Sequence, residues 1–358
     1  VEFSPVHDLT FPVLATATAR LGAQLDIYAP NRLLDQTAAL PGKTHFVRIG
    51  HGRRPGTVLA VALRILRGDY DMVWLNTAHG PRARLLLILL RLFGNKRCVR
   101  LGIIHFTEKA ADAWSTKLIL RLLHGAVVFS KYLQQTMPQG LQQKTYPWYP
   151  MIPTTLPPLG LEDGRIRIVV PGALDPSRRD YTAVAQALND PALDLRITFV
   201  LLGRCQRDNE QAQAWLAQLP SDAISSGRVQ LWDDYVADKV FQAELNRAHA
   251  ICLLMHPNCQ EYRMFCDHQA SGATYLAFNR GIPLLVELGM LPAVAEFAPH
   301  VVPYAVTDFI SACNGVVQSV AARNCDDLRY PRRAEAAVEF QAAMFLRMVT
   351  SCLHRATP

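Results

Sequence analysis

Short apolar runs alternate along this chain with longer segments whose apolar positions recur at helical spacing. In the first half, Gln24–Tyr28, Asp71–Leu75, Val99–Ile104 and Ala126–Phe129 read as strands. Phe11–Leu21, Val58–Leu66, Arg84–Phe93 and Thr116–Leu123 read as helices. Pro81 suits a first helical turn, and Gly94-Asn95 supplies a stop. In the second half, Arg167–Val170, Leu195–Leu202, Val229–Leu231, Ala250–Met255 and Ile282–Val286 read as strands. Tyr181–Leu188, Val240–Ala248, Ser271–Asn279 and the long Ala334–Leu353 segment have helical character. Strands and helices in alternation predict parallel sheets with helices on their faces.

The alternation is interrupted at Met137–Gly164, a proline-rich stretch with few charges and no sustained period. Such a stretch predicts a linker. The expected organisation is α/β, with two Rossmann-like parallel-sheet domains facing a cleft. Residues 1–150 form the first, 151–335 the second, and 336–358 a C-terminal helix packing back on the first. A length of 358 residues suits two domains.

Charge sharpens this division. The net charge is +7, but residues 1–150 carry 19 Lys and Arg against 8 Asp and Glu. The first half is therefore +11 and the remainder −4. A basic half facing an anionic partner is the expectation. Arg82, Arg84, Arg91, Lys96 and Arg97 surround the apolar run Leu85–Leu90. That pattern fits a helix buried in an α/β layer with snorkelling arginines, or one that also meets anionic headgroups. No Lys/Arg–aromatic stripe or nucleic-acid module is present, so nucleic acid is not an expected partner.

No apolar run approaches the roughly 18–20 residues that span a bilayer. Val1-Glu2-Phe3 reads as the tail of a strand, with no leader-peptide pattern. The eight cysteines lack the C-x2-C spacing of zinc sites and mostly sit in apolar runs. They read as buried small hydrophobes in a reducing cytoplasm. The expected location is cytoplasmic, with peripheral contact at the inner face of the membrane. Asp69-Tyr70-Asp71 has an Asp-x-Asp spacing but precedes a strand, and Asp233-Asp234 lacks supporting residues. No metal site is expected.

Four stretches of the second half occur in a telling order. They are Val169-Val170-Pro171-Gly172 with Arg178-Arg179-Asp180-Tyr181, then Phe199–Arg204, then Val229–Met255, then Ser271–Val286 with Leu288–Val294. Together, across residues 166–300, they resemble the nucleotide-sugar domain of GT-B glycosyltransferases, especially the large retaining family built around a Gly-x-Pro turn. The first half is similar to an acceptor domain only in its alternation. Leu276 and His268 stand where the family has a pair of glutamates, Ala293 replaces a third, and Met290 replaces a glycine.

The resemblance implies transfer of a sugar from a nucleotide sugar to a glycan or lipid-linked acceptor, with no cofactor beyond that substrate. It also implies retention of configuration without a metal. The departures leave a non-catalytic GT-B-like subunit or glycan-binding partner as the alternative. A sugar-nucleotide epimerase of the same architecture is a third reading.

The candidate donor residues follow from chemistry. A leaving diphosphate needs backbone N–H groups and cations. Ser271-Gly272-Ala273 at a helix start would supply N–H groups, or Ser271 would simply cap the helix. Arg178 and Arg179 are candidate phosphate forks, and Gly172 and Gly203 end strands beside them. Glu261 and Asp267, in the loop before the donor helix, are candidates for the ribose hydroxyls or are solvated carboxylates. In the first half, His7, His79 and His105 each follow a strand, where ligands of parallel sheets bind. Asp8 is a candidate base or a helix cap.

Overall fold

A computed structural model describes residues 1–3, 10–31, 33, 40–49, 55–108, 113–151, 156, 159–205, 209–322 and 337–356. The chain divides into two compact units, Val1–Ile152 with Ala334–Pro358, and Pro153–Arg333.

In the first unit, β1 (Gln24–Pro30) pairs in parallel with β2 (Lys43–Ile49). A second parallel sheet runs β3 (Met72–Leu75), β4 (Val99–Ile103), β5 (Gly125–Val128) and β6 (Thr145–Pro147). Residues 1–3 bridge the two. The Glu2 N–H donates to the Tyr28 carbonyl at 2.8 Å, and the Asn76 N–H donates to the Val1 carbonyl at 2.9 Å. The order across the unit is thus β2, β1, residues 1–3, β3, β4, β5, β6. Chain order reverses between residues 1–3 and β3. That is the topological switch point, where ligands of open parallel sheets bind.

Strands β4 and β5 are buried along their whole lengths, as expected where helices cover both faces. Val99, Leu101 and Ile103 pack with Trp74 and Trp148, with Val13, Leu14 and Ala17 of helix Thr10–Arg20, and with Phe345, Met348 and Cys352 of helix Val338–Ala356. Gly125 permits this approach. A Cβ there would stand 2.7 Å from Cys352 Sγ and 2.8 Å from the Tyr146 ring.

The two units divide at Ile152 and Pro153, inside the Met137–Gly164 stretch expected to be a linker, but the part before that division is packed structure. This stretch contains β6, and Trp148, Tyr149 and Met151 after it are buried. The Trp148 N–H donates to Val128 at 2.7 Å, and its indole meets Trp74 edge-on at 5.1 Å. Pro147 sits in β6 at the edge of its sheet, where a missing ladder donor is tolerated.

The second unit holds one six-stranded parallel sheet of β7 (Ile166–Pro171), β8 (Ile197–Arg204), β9 (Val229–Trp232), β10 (Ala250–Cys252), β11 (Leu284–Glu287) and β12 (Val301–Tyr304). Their order is β12-β11-β10-β7-β8-β9, so the switch point lies between β7 and β10. Helix Gly272–Arg280 ends at Gly281 in a left-handed conformation, φ 62°. Ile282 then donates back to Ala277, so Gly-Ile-Pro turns the chain directly into β11.

Both units repeat one device near the amino ends of their strands. The Arg100 N–H donates to His124 Nδ1 at 3.0 Å, and the His124 N–H returns to the Arg100 carbonyl at 2.8 Å. Arg167 and His249 do the same at 3.1 and 2.9 Å. These two histidines tie strands together far from the carboxyl ends.

Candidate functional site

In the second unit, Gly172 follows β7 with φ 101°, a conformation open to glycine. The turn is packed tightly. A Cβ on Gly203, at the end of β8, would overlap the Gly172 carbonyl oxygen. Arg179 lies beneath the turn and is buried. Its Nη2 donates to Pro171 O at 2.7 Å and its Nη1 to Ala173 O at 3.1 Å. The guanidinium therefore braces the turn from within. The two terminal nitrogens of this phosphate-fork candidate thus point at carbonyl oxygens of the turn.

Arg178 and Glu261, two separate donor candidates, bind each other at 2.7 Å. The Glu261 N–H also donates to the Ser177 carbonyl at 3.0 Å. The segment expected to be a loop before the donor helix is itself helical at Tyr262–Asp267, so Asp267 ends a helix. Tyr262, Phe265 and Cys266, at i, i+3 and i+4, bury one face of that short helix. Ser271 caps helix Gly272–Arg280 by position, but its side chain makes no cap hydrogen bond. The first N–H groups of that helix, at Gly272 and Ala273, are thus left for another acceptor.

The switch point also holds a polar chain that the sequence did not disclose. Asp180 Oδ2 takes hydrogen bonds from His256 Nδ1 at 3.0 Å and Asn258 Nδ2 at 3.0 Å. His256 Nε2 meets the Tyr304 hydroxyl at 2.9 Å. The Asp180 carboxyl lies below the usual carboxylate range. Burial alone would raise it, and the bonds from His256 and Asn258 outweigh that. Burial pushes the Tyr304 phenol well up, with the Cys252 thiol adding to it. Burial also pushes Cys252 up to about 11. A further carboxylate, Glu287, ends β11. Its Oε2 accepts a short hydrogen bond from Tyr262 and one of 2.8 Å from the Gly289 N–H. Burial and this bond push the Tyr262 phenol up.

In the first unit, His79 and His105 come together, with ring centroids 6.3 Å apart. His105 Nε2 lies 2.9 Å from the Asn76 carbonyl, so Nε2 carries a proton. Asn76 is held in turn by Glu2, whose Oε2 also accepts from Thr77 at 2.6 Å, and by Thr10. Glu2, Asn76 and Thr77 were missed. The polar Asn-Thr pair directly after the apolar Met72–Leu75 run was the available signal. His7 and Asp8 lie outside the described residues.

The basic candidates spread along helix Gly80–Phe93 and the following turn. Arg82 donates to the Phe3 carbonyl at 3.4 Å, and Arg84 stacks 4.9 Å above Trp114. Arg91, Lys96 and Arg97 are exposed. The apolar run is only partly buried. Leu86, Leu87 and Leu90 face inward, whereas Leu92 is 67% and Phe93 70% exposed. Asp69-Tyr70-Asp71 leads into β3, with the Tyr70 hydroxyl donating to Asp26 at 2.5 Å. Among the described residues no group of three His, Cys, Asp or Glu side chains is arranged to hold a metal, and no helix is long and apolar enough to cross a membrane.

No family model matches the chain, and no curated protein matches it in sequence. Solved structures do match in fold. A complex of Anabaena HepE with UDP and glucose aligns with TM-score 0.54 and 13% identity, over 99% of this chain and 95% of that one. An α-glucosyltransferase bound to UDP and a 13-mer DNA with a central A:G mismatch aligns with TM-score 0.56 and 10% identity, over 96% of each chain. A UDP-N-acetylglucosamine 2-epimerase aligns with TM-score 0.56 and 9% identity, over 97% of this chain and 92% of that one. The chain therefore has the α/β fold of these GT-B structures, with a Rossmann-like parallel sheet in each unit.

Proposed function

We propose that the protein is a glycosyltransferase that takes a sugar from a nucleotide-sugar donor. The observation that carries this reading is the switch point of the second unit. A tight Gly172 turn lies after β7, and helix Gly272–Arg280 starts at the same sheet edge with no side-chain cap. Free N–H groups and a helix dipole suit a diphosphate. Two of the structures alike in fold contain UDP.

In the proposed reaction the nucleotide diphosphate leaves as the acceptor hydroxyl attacks the anomeric carbon. Backbone N–H groups at Gly272 and Ala273 meet its growing charge without a metal. Transfer proceeds with retention, and the departing phosphate takes the acceptor's proton. His105 and His79, with the Glu2–Asn76 pair behind them, are suited to bind sugar hydroxyls. The acceptor is a lipid-linked or surface polysaccharide. Exposed Leu92 and Phe93 beside Arg91, Lys96 and Arg97 support peripheral binding to an anionic membrane. Sedimentation with anionic and zwitterionic vesicles tests this last point, and equal binding to both would exclude it.

Calorimetric titration with UDP, GDP, ADP and their sugar conjugates tests the donor site. Binding by one nucleotide series is expected; a folded protein that binds none would refute the reading. A second reading, nucleotide-sugar epimerisation, is favoured by the 2-epimerase likeness. Turnover of the bound nucleotide sugar with no acceptor present would select it.

A further inference from the structure

The segment from Gly172 to Asp180 and the loop Leu253–Asn258 flank the switch point from β7 and β10 respectively. Three contacts join them. The Asp180 N–H donates to the Leu254 carbonyl at 2.9 Å, and His256 Nδ1 and Asn258 Nδ2 both reach Asp180 Oδ2 at 3.0 Å. Leu254 has φ 53°, a left-handed conformation that a branched side chain adopts only when its surroundings hold it there. Asp180 directly follows Arg179, which grips the carbonyls on either side of Gly172. Whatever fixes Asp180 therefore fixes the turn.

His256 is the centre of this arrangement. It is 0% exposed, with the rings of Tyr304 and Phe309 at 5.7 and 6.0 Å. It cannot touch a ligand, so it acts through other residues. Its partners set its protonation pattern. A carboxylate accepts, so Nδ1 donates to Asp180; in the Nδ1–H tautomer Nε2 is the acceptor for the Tyr304 hydroxyl.

We propose that His256 is a positioning residue for the phosphate-binding turn of the second unit: its Nδ1–H bond to Asp180 locks the loop after β10 to the segment carrying Gly172 and Arg179. The inference rests on the donor-site reading above. An anionic nucleotide then meets a turn already held in its binding shape, and its affinity depends on one hydrogen bond that never reaches it.

The two nitrogens of His256 can be mimicked separately. His256→Asn keeps a donor near the Nδ1 position, and His256→Gln keeps a polar group near the Nε2 position. Calorimetry with UDP, and with GDP and ADP in parallel, is run on the full chain alongside thermal melts. H256N and Tyr304→Phe are expected to stay within about threefold of the parent in nucleotide affinity, whatever their melting points. H256Q is expected to lose about tenfold or more, the equivalent of one charge-assisted hydrogen bond. A purely structural role predicts instead that affinity follows melting temperature across all three, which would overturn the proposal. So would equal binding by H256Q and the parent. A parent that binds none of the three nucleotides refutes the donor-site reading itself and this inference with it. Nitrogen NMR of the parent gives an independent check, since a His256 proton found on Nε2 alone would also exclude the lock.

Discussion

Replacing Gly203 by alanine tests how closely β7 and β8 feed their loops into the switch point. The new Cβ would overlap the Gly172 carbonyl oxygen and stand 2.6 Å from its carbon and 3.1 Å from Ala173 Cα. Both neighbours are backbone, so no rotamer change relieves the clash. The Gly172 turn must retreat from β8. It is held there by Gly172 N–H to Leu202 O at 3.0 Å and by Leu174 N–H to Arg204 O at 3.3 Å. Weakening two hydrogen bonds costs about 1 kcal/mol each, and forcing extra volume into a packed region adds about 1–3 kcal/mol. The total is at least about 3 kcal/mol, which lowers the melting temperature of a unit this size by at least about 6–12 °C. Differential scanning calorimetry of the full chain measures this directly. Gly160→Ala is the control, because nothing lies within 4 Å of a Cβ there. A Gly203→Ala protein melting within about 1 °C of that control would refute the claimed contact. Unchanged nucleotide affinity despite the expected destabilisation would mean the ligand does not depend on the turn.

Other substitutions probe separate features. Tyr262→Phe removes the hydroxyl that donates, alongside the Gly289 N–H, to Glu287 Oε2, and a loss of about 1–3 kcal/mol in urea unfolding is expected. Trp148→Ala empties the fully buried site between β6 and Trp74, with an expected loss of about 3–5 kcal/mol and a changed near-UV spectrum. Burial, with Arg100, Arg91 and Lys144 nearby, holds the His124 ring at a pKa of about 4. The unfolded ring protonates near its ordinary value, so stability is full above about pH 6.5 and falls as pH drops towards 4. For a half-exposed ring the loss amounts to about 1–2 kcal/mol after solvent screening, and His124→Asn should flatten unfolding curves over that window. Equal pH dependence in both proteins would count against this assignment.

The strands that could be read from the chain are the covered ones. β4, β7, β8 and β11 are buried over nearly their entire lengths and therefore appear as apolar runs. Those that escaped notice, β2, β6 and β12, all lie at sheet edges. β2 is mostly exposed, and the other two contain prolines, so neither periodicity nor composition marks them. The site divides in the same way. Gly172, Gly203 and Ser271 announce themselves through local turn and cap chemistry. The Glu2–Asn76 and Asp180–His256 pairs join residues 74 and 76 positions apart, and only the strand order brings them together. Arg178, Arg179 and Glu261 were visible as charges, but their mutual and backbone partners were not.

Helix Val338–Ala356 contributes Phe345, Met348 and Cys352 to a core begun by Thr10–Arg20. The whole of the second unit is synthesised between those two halves. During translation the second unit is therefore able to close while the first still lacks one wall. The apolar face of β3, β4 and β5 has to wait, only partly covered by helix Thr10–Arg20, for residues made some two hundred positions later. Ribosome-bound chains arrested just short of residue 338 should thus bind a general chaperone through their first unit and release it once the helix emerges. The unit that begins the chain is thus the last to receive its full set of core residues.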